Sequence, residues 1–264
     1  MDAPAPNGAP RRQPTAGVVV VGNEVLSGKV TEENAAFFVK RLRALGVRLR
    51  EIAFVEDDVD AIARAVRRLA GENTWVFTSG GIGPTHDDVT IEAVARAFDR
   101  EVGEHEALLA HLDRALAGRP PGAWRRLTRA PVGAELVETT GKPPWPVLKV
   151  ENVFVFPGVP WLLRSKFDAI AGRFASDARL VGAHFVLEAD EAVICEALDG
   201  IAARFTTVEI GSYPAFDGRV WSLKLTLESL DAAALAAAAD EVRAAFAAWI
   251  RSASDIAPVS GDGD

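Results

Sequence analysis

The sequence predicts an α/β fold with a mostly parallel sheet, followed by a smaller α+β unit. Three observations carry this reading. Short β-branched strands alternate with amphipathic stretches in the first part of the chain. A glycine-rich loop follows a strand and opens a helix at Thr78–Thr90. From about Leu180 the order changes to strand, helix, two strands, helix.

The elements follow in order. Residues 1–15 hold four prolines and few large apolar groups, and are expected to form a disordered arm. Gly17–Val21 is a β-branched run bounded by glycine, the pattern of a buried strand. Residues 31–45 place Ala35, Phe38, Val39, Leu42 and Leu45 at helical spacing, with Thr31 as expected N-cap and Gly46 as stop. Residues 47–55 form the second strand. A helix follows from Asp58 to Leu69, ended by Gly71, and then a third strand over 74–78. Ile91, Val94, Ala95 and Phe98 make one face of a helix over 89–98, and 104–117 also reads as helical. The Pro- and Gly-rich stretch 118–146 is expected to wrap over the surface. Residues 147–150 and 153–156 form a hairpin turning at Glu151-Asn152, and Pro160 opens a helix to Phe174. The second unit then has a strand (183–187), a helix (190–203), strands at 206–212 and 219–227, and a helix over 231–250. The expected boundaries are an arm at 1–15, a first domain at 16–178, a small unit at 179–252 and a disordered tail at 253–264.

Composition narrows the function. The chain has 264 residues, 49% hydrophobic and 25% charged, as in ordinary globular proteins. Lys and Arg number 29 against 37 Asp and Glu, a formal net charge of −8. Nucleic-acid affinity rests on cations meeting phosphates, so general nucleic-acid binding is not expected. The first residues lack the apolar core of a signal peptide, and no run reaches the length of a membrane span. A cytoplasmic protein with no membrane partner is expected. The one cysteine, Cys195, reads as buried helix filler.

The chemistry concentrates in Thr78-Ser79-Gly80-Gly81-Ile82-Gly83-Pro84-Thr85-His86-Asp87-Asp88. Ligands of open α/β sheets bind at this edge. Glycine permits positive φ and close backbone approach, and free N–H groups at a helix start favour phosphate. Asp87 and Asp88 offer hard oxygen ligands to a divalent cation, and His86 a proton acceptor. The simpler reading is an N-cap by Asp87, Asp88 or Thr90, but capping does not need three glycines. Gly22–Val30 resembles a P-loop only superficially. Five residues separate its glycines, and Val30 stands where Ser or Thr would meet magnesium. That loop should still lie beside Gly80, where Glu24 and Glu33 are either further ligands or solvated acids. Phe156-Pro157-Gly158-Val159-Pro160 either presents N–H groups to an anion, with Arg164 one turn on, or is a stiff turn. Gly211-Ser212-Tyr213-Pro214 reads as a strand-end turn. His105, His111 and His184 are isolated.

Four stretches together, VVGNEVLSGKVTEENAAFF, TSGGIGPTHDDVTIEAVARAF, VFPGVPWLL and EIGSYP, resemble the molybdopterin-binding (MoaB/Mog-like) domain family. The similarity is to its CinA-like (competence/damage-inducible protein A) branch and to the N-terminal domain of FAD synthases, and it spans about residues 16–250. The resemblance implies a three-layer α/β/α domain and a small KH-like unit. It also implies binding of a pterin phosphate or nucleotide diphosphate, metal-dependent pyrophosphatase activity on ADP-ribose or FAD-like dinucleotides, and a homo-oligomer.

Carried over by position, the substrate site would comprise Gly80, Gly81, Gly83 and Thr85 with Gly22, Glu24, Asn34 and Gly158. Asp88, Asp87 and His86 would be catalytic. Asp87 and Asp88 would hold Mg²⁺ or Co²⁺, with K⁺ as a second candidate cation. Glu33 and Asn23 depart from the residues usual at their positions. Neither the deamidase domain of many CinA proteins nor the adenylyl-transferring domain of FAD synthases is in this sequence, so neither activity is expected. The rival readings are a molybdopterin adenylyltransferase and a non-catalytic nucleotide- or pterin-binding protein.

Overall fold

The computed structural model describes residues 13–139, 145–178, 180–216 and 221–259. The chain divides into two compact units that part between Ser176 and Asp177. Most of the expected arm lies outside the described residues; its last residue, Thr15, already belongs to the first strand.

The first unit runs β1 (Thr15–Val21), α1 (Asn23–Leu26), α2 (Asn34–Ala44), β2 (Arg48–Val55), α3 (Val59–Glu72), β3 (Trp75–Ser79), α4 (Thr90–Ala97), β4 (Val102–Glu104), α5 (Glu106–Leu116), β5 (Arg129–Pro131), β6 (Glu135–Val137), β7 (Val147–Val150), β8 (Val153–Phe156) and α6 (Pro160–Ile170). The sheet order is β2-β1-β3-β8-β7-β6. β2, β1, β3 and β8 are parallel, and β7 and β6 continue the sheet as antiparallel neighbours.

The period of two along each strand sorts the core onto two faces. Ala16, Val18 and Val20 of β1 join Phe77, Phe154 and Phe156 beneath Phe38 and Leu42 of α2 and Leu163 and Phe167 of α6. Val19 and Val21 join Val76, Val153 and Val155 beneath Ile62, Val66 and Leu69 of α3 and Ala93 and Val94 of α4. The result is the three-layer α/β/α sandwich. Its first face is rich in aromatic pairs: Phe38 stacks on Phe77 at 5.3 Å, and Phe174 meets Phe77 edge-on at 4.9 Å.

The connections explain where a ligand can enter. β1 leads out to β2 on one side, and β3 returns to the other side of β1. The loops after β1 and β3 therefore diverge, opening a crevice at the carboxyl ends of the strands. The β8 loop borders the same crevice, because β8 is parallel to β3 and beside it.

Several local expectations change. Thr31 does not cap α2: the helix starts at Asn34, and the Glu32 carboxylate accepts from the Ala35 N–H at 2.5 Å. The stop at Gly46 holds, through bonds from the Gly46 N–H to the Arg43 carbonyl and from the Val47 N–H to the Leu42 carbonyl. Gly71 lies inside α3, which runs on to Glu72. Asp58 caps that helix through the Ala61 N–H. The 118–146 stretch does not simply wrap. It contains a 3₁₀ turn at Gly122–Thr128, the strand β5 paired with β4, and the edge strand β6.

The second unit runs β9 (Val181–Leu187), α7 (Glu191–Arg204), β10 (Glu209–Phe216), β11 (Trp221–Ser229), α8 (Ala232–Phe246), β12 (Ile250–Ala253) and β13 (Ala257–Pro258). Its sheet is antiparallel in the order β10-β11-β9-β12, with β13 also on β9. Leu223, Leu225 and Leu227 alternate inward to meet Ile194, Ile201, Leu235 and Val242. The expected 231–250 helix ends at Phe246. Of the expected disordered tail, Ala253, Ala257 and Pro258 pair with β9, whose edge offers free backbone groups, and 260–264 lie outside the described residues. Gly211-Ser212-Tyr213-Pro214 lies within β10 and is not a turn. Cys195 is exposed on α7: Ile194 and Ile201 are that helix's buried residues, and position 195 falls outside their stripe. Among the described residues no helix is long and apolar enough to cross a membrane.

Candidate functional site

At the crevice of the first unit the loops after β1, β3 and β8 are packed glycine against backbone. A Cβ on Gly80 would lie 2.3 Å from the Val21 carbonyl oxygen, and its φ of +101° is a left-handed conformation that side chains resist. A Cβ on Gly158 would come within 3.2 Å of the Gly80 Cα. The Gly80 N–H donates to the Phe156 carbonyl at 3.2 Å. Gly81 and Gly83 are pressed on Thr90 and Asp88, whose oxygens would lie 2.3 and 2.6 Å from an added Cβ. These glycines thus let the loop close on its own neighbours.

Buried Asn34, at the start of α2, joins the loops from beneath. Its Nδ2 donates to the Ser79 hydroxyl at 2.9 Å and to the Gly158 carbonyl at 2.7 Å. Thr90, at the start of α4, donates through its hydroxyl to the Gly80 carbonyl at 2.9 Å and through its N–H to the Gly81 carbonyl. The residue that looked like a possible cap therefore anchors the loop.

The acidic turn divides into unlike parts. Asp88 turns back into its loop, where one carboxylate oxygen accepts from the Thr85 N–H at 2.8 Å and the Thr85 hydroxyl at 2.5 Å. Asp87 is exposed. The polar Thr85 side chain nearby and Asp87's own N–H hold its carboxyl below the usual carboxylate range. His86 projects outward, its side chain 92% exposed, with Nδ1 3.9 Å from the Asp87 carboxylate.

These loops form one wall of a cleft of about 900 Å³. Of the expected residues, Glu24, Gly80, Gly81, Gly83, Thr85, His86, Asp88 and Gly158 line it. Asn34 lies beneath, and Asp87 and Gly22 are not among the lining residues. A Cβ on Gly22 would press on the Glu24 carboxylate at 2.5 Å. Glu33 is drawn away into an ion pair with Arg164 at 2.7 Å.

The rest of the lining was not singled out from sequence. Ile82, Val89, Leu127, Leu148, Val155 and Leu162 make it apolar, and Trp124 and Trp145 add flat rings. Arg126 donates to the Thr85 carbonyl at 2.7 Å, and Arg129 pairs with Glu92. Lys166 of α6 is 4% exposed, and its ammonium donates to the Trp145 carbonyl. Burial pushes that ammonium down to about 8. A sequence signal for Lys166 did exist, since it falls on the buried stripe with Leu163, Phe167 and Ile170. The tryptophans came from the irregular stretch and gave none.

As a cation site the donors are sparse. Among the described residues no three His, Cys, Asp or Glu side chains converge. Among the described residues the second oxygen of Asp88 accepts no hydrogen bond, and Asp88 lines the cleft. That donor set suits a cation such as magnesium, which takes one or two carboxylates together with substrate phosphates.

Comparison with known proteins now decides the family. Residues 17–175 match the model described as "Probable molybdopterin binding domain". The chain belongs to the molybdopterin-binding domain family. Residues 179–254 also match the middle domain of FAD synthase. A "Probable FAD synthase" of Caenorhabditis elegans is 31% identical over 267 residues, covering 91% of this chain and 51% of that protein. A CinA-like protein of Citrifermentans bemidjiense is 32% identical, covering 88% of this chain and 58% of that protein. The chain thus spans little more than half the length of these two relatives. Among solved structures, the protein CinA of Thermoplasma acidophilum, titled as of unknown function, matches with a TM-score of 0.55 and 29% identity, over 61% of this chain and 97% of that one. The sandwich and the CinA-like relationship of this molybdopterin-binding domain thus rest on sequence and structure together.

Proposed function

We propose that the cleft binds a nucleotide diphosphate such as ADP-ribose or an FAD-like dinucleotide and hydrolyses its pyrophosphate link. The carrying observation is the junction of two surfaces in one cleft: a glycine-loop wall with Asp88, and apolar walls bearing Trp124 and Trp145. The first suits charged phosphate oxygens, and the second suits a flat base.

Asp88 would hold a divalent cation, Mg²⁺ or Co²⁺. When bound, such a cation would supply charge neutralisation and a more acidic water. Thr85 fixes the carboxylate's orientation, and Arg126 fixes Thr85 through its carbonyl. Water attacks one phosphorus and the bridging oxygen leaves on the other, so ADP-ribose yields AMP and ribose phosphate. The test is AMP release from ADP-ribose and FAD with each metal, with and without K⁺, using Asp88→Ala as control. No turnover with any metal sinks the reading, and release that requires a pterin acceptor points to adenylyl transfer.

One observation favours a second reading, a protein that binds without catalysis: His86 faces solvent and half of Asp88 is spent inside its loop. Calorimetry that finds tight nucleotide binding without turnover supports it.

A further inference from the structure

Lys166 sits where a lysine is hard to explain by folding alone. It lies one residue before Phe167 in the aromatic core of α6, and it is almost wholly buried. A buried ammonium away from an opposing charge is unfavourable, and such groups are normally paired. Lys166 has no carboxylate partner among the described residues. Most charged groups on the neighbouring elements are committed elsewhere, and Glu24 lines the same cleft on the β1 loop. On α6 itself Arg164 pairs with Glu33, just before the neighbouring α2, and Asp168 with Arg41 of α2. On β7 Lys149 pairs with Glu135 of β6. Within the cleft Arg129 holds Glu92, and Asp88 accepts from Thr85.

Among the described residues the one bond it makes is to the carbonyl of Trp145, which the Thr139 hydroxyl also reaches at 3.0 Å. An ammonium has three protons, so two donors remain while the side chain lines the cleft. Trp145 immediately precedes Pro146 and β7, which pairs antiparallel to β8. The start of β7 therefore meets the same sheet edge as the end of β8. Lys166 marks the β7 side of the cleft, and the Gly80–Asp88 loop marks the β3 side.

We propose that Lys166 forms an anion subsite at the β7 side of the cleft, where its ammonium takes a phosphate oxygen of the bound molecule. The inference rests on the cleft being the ligand site, and it adds a specificity element to it. A bound phosphate supplies the missing counter-charge, so the subsite selects phosphorylated ligands over the bare nucleoside. Desolvation lowers the ammonium's hold on its proton, and an arriving anion strengthens it again.

Calorimetry on the full chain with inorganic pyrophosphate, AMP and adenosine tests this, comparing wild type with Lys166→Met and Lys166→Gln. Both variants remove the charge, and the amide of Gln can still donate to the Trp145 carbonyl. The expected result is pyrophosphate and AMP binding weakened tenfold or more in both variants, with adenosine changed less than twofold. Binding of pyrophosphate by Lys166→Gln within twofold of wild type overturns the subsite, leaving the lysine as a tie to Trp145. Wild type that fails to bind pyrophosphate at millimolar concentration overturns it too, as does a folded Lys166→Gln beside an unfolded Lys166→Met. Lys166-dependent pyrophosphate binding without ADP-ribose turnover sinks the hydrolase reading alone. Undiminished turnover in Lys166→Gln sinks the subsite alone.

Discussion

The carboxylate of Asp88 and residue Thr85 are joined twice, at 2.8 Å through the N–H and 2.5 Å through the hydroxyl, in a ring that closes the acidic turn. Asp88→Asn keeps an acceptor for these bonds and removes the charge. AMP release is expected to fall about 100-fold or more while the melting temperature stays within about 2 °C. A variant as active as wild type in a coupled AMP assay removes Asp88 from the chemistry.

Gly80→Ala is expected to cost about 3 kcal/mol, because the new methyl meets the Val21 carbonyl at a left-handed backbone position. Gly172→Ala is the control, since nothing lies within 4 Å of its Cβ position. Urea denaturation of both variants measures the difference, and equal midpoints contradict the packing described.

Asn34→Ala removes both bonds that fasten the β8 loop to β3, and is expected to cost about 2 kcal/mol. Ligand affinity should fall more than stability alone explains, because Gly158 loses its tether. Calorimetry at a temperature where both proteins are fully folded separates the two effects.

Lys166 makes stability depend on pH. Its ammonium falls from 10.5 to about 8 on burial, so the unfolded chain binds more protons and stability rises between those values. Below pH 8 the charge is carried in both states and its burial cost is fully present. Lys166→Met is therefore expected to be more stable than wild type at pH 7, by roughly 3 kcal/mol at most. That advantage should shrink toward pH 10.5, and denaturation curves at pH 7 and pH 10 check the sign.

In the second unit, the Asp231 carboxylate accepts from the Ala233 and Ala234 N–H groups at 2.9 and 3.0 Å, capping α8. Asp231→Ala is expected to lower stability by about 1 kcal/mol. No change in the thermal midpoint of the full chain contradicts it.

Particular residues show what the sequence could and could not reveal. The sheet was readable because Val18–Val21 and Trp75–Ser79 are too apolar for anything but a buried strand, and the β3 loop because its glycines interrupt that pattern at a helix start. The β12 and β13 pairings were not readable, since Arg251-Ser252-Ala253 has no apolar alternation and its strand exists only because β9 has a free edge. Asn34 could be placed in the site, but not its role: that depends on Gly158, 124 residues away. Lys166 and Trp145 escaped because a lysine in a helix normally signals solvent, and a tryptophan among prolines carries no period. The acids Asp87 and Asp88 looked alike in sequence, and only the turn geometry distinguishes them.

The reversed direction of β7 has a wider consequence. Residues that follow β1, β3 and β8 build the floor, whereas the wall at Trp145 is made by chain that arrives ahead of a strand. Replacements or insertions upstream of β7 can reshape the cavity while the glycine-loop floor stays untouched. Selectivity and grip are thereby assigned to separately changeable stretches of polypeptide, which gives relatives on this scaffold a route to new substrates without rebuilding the glycine loops.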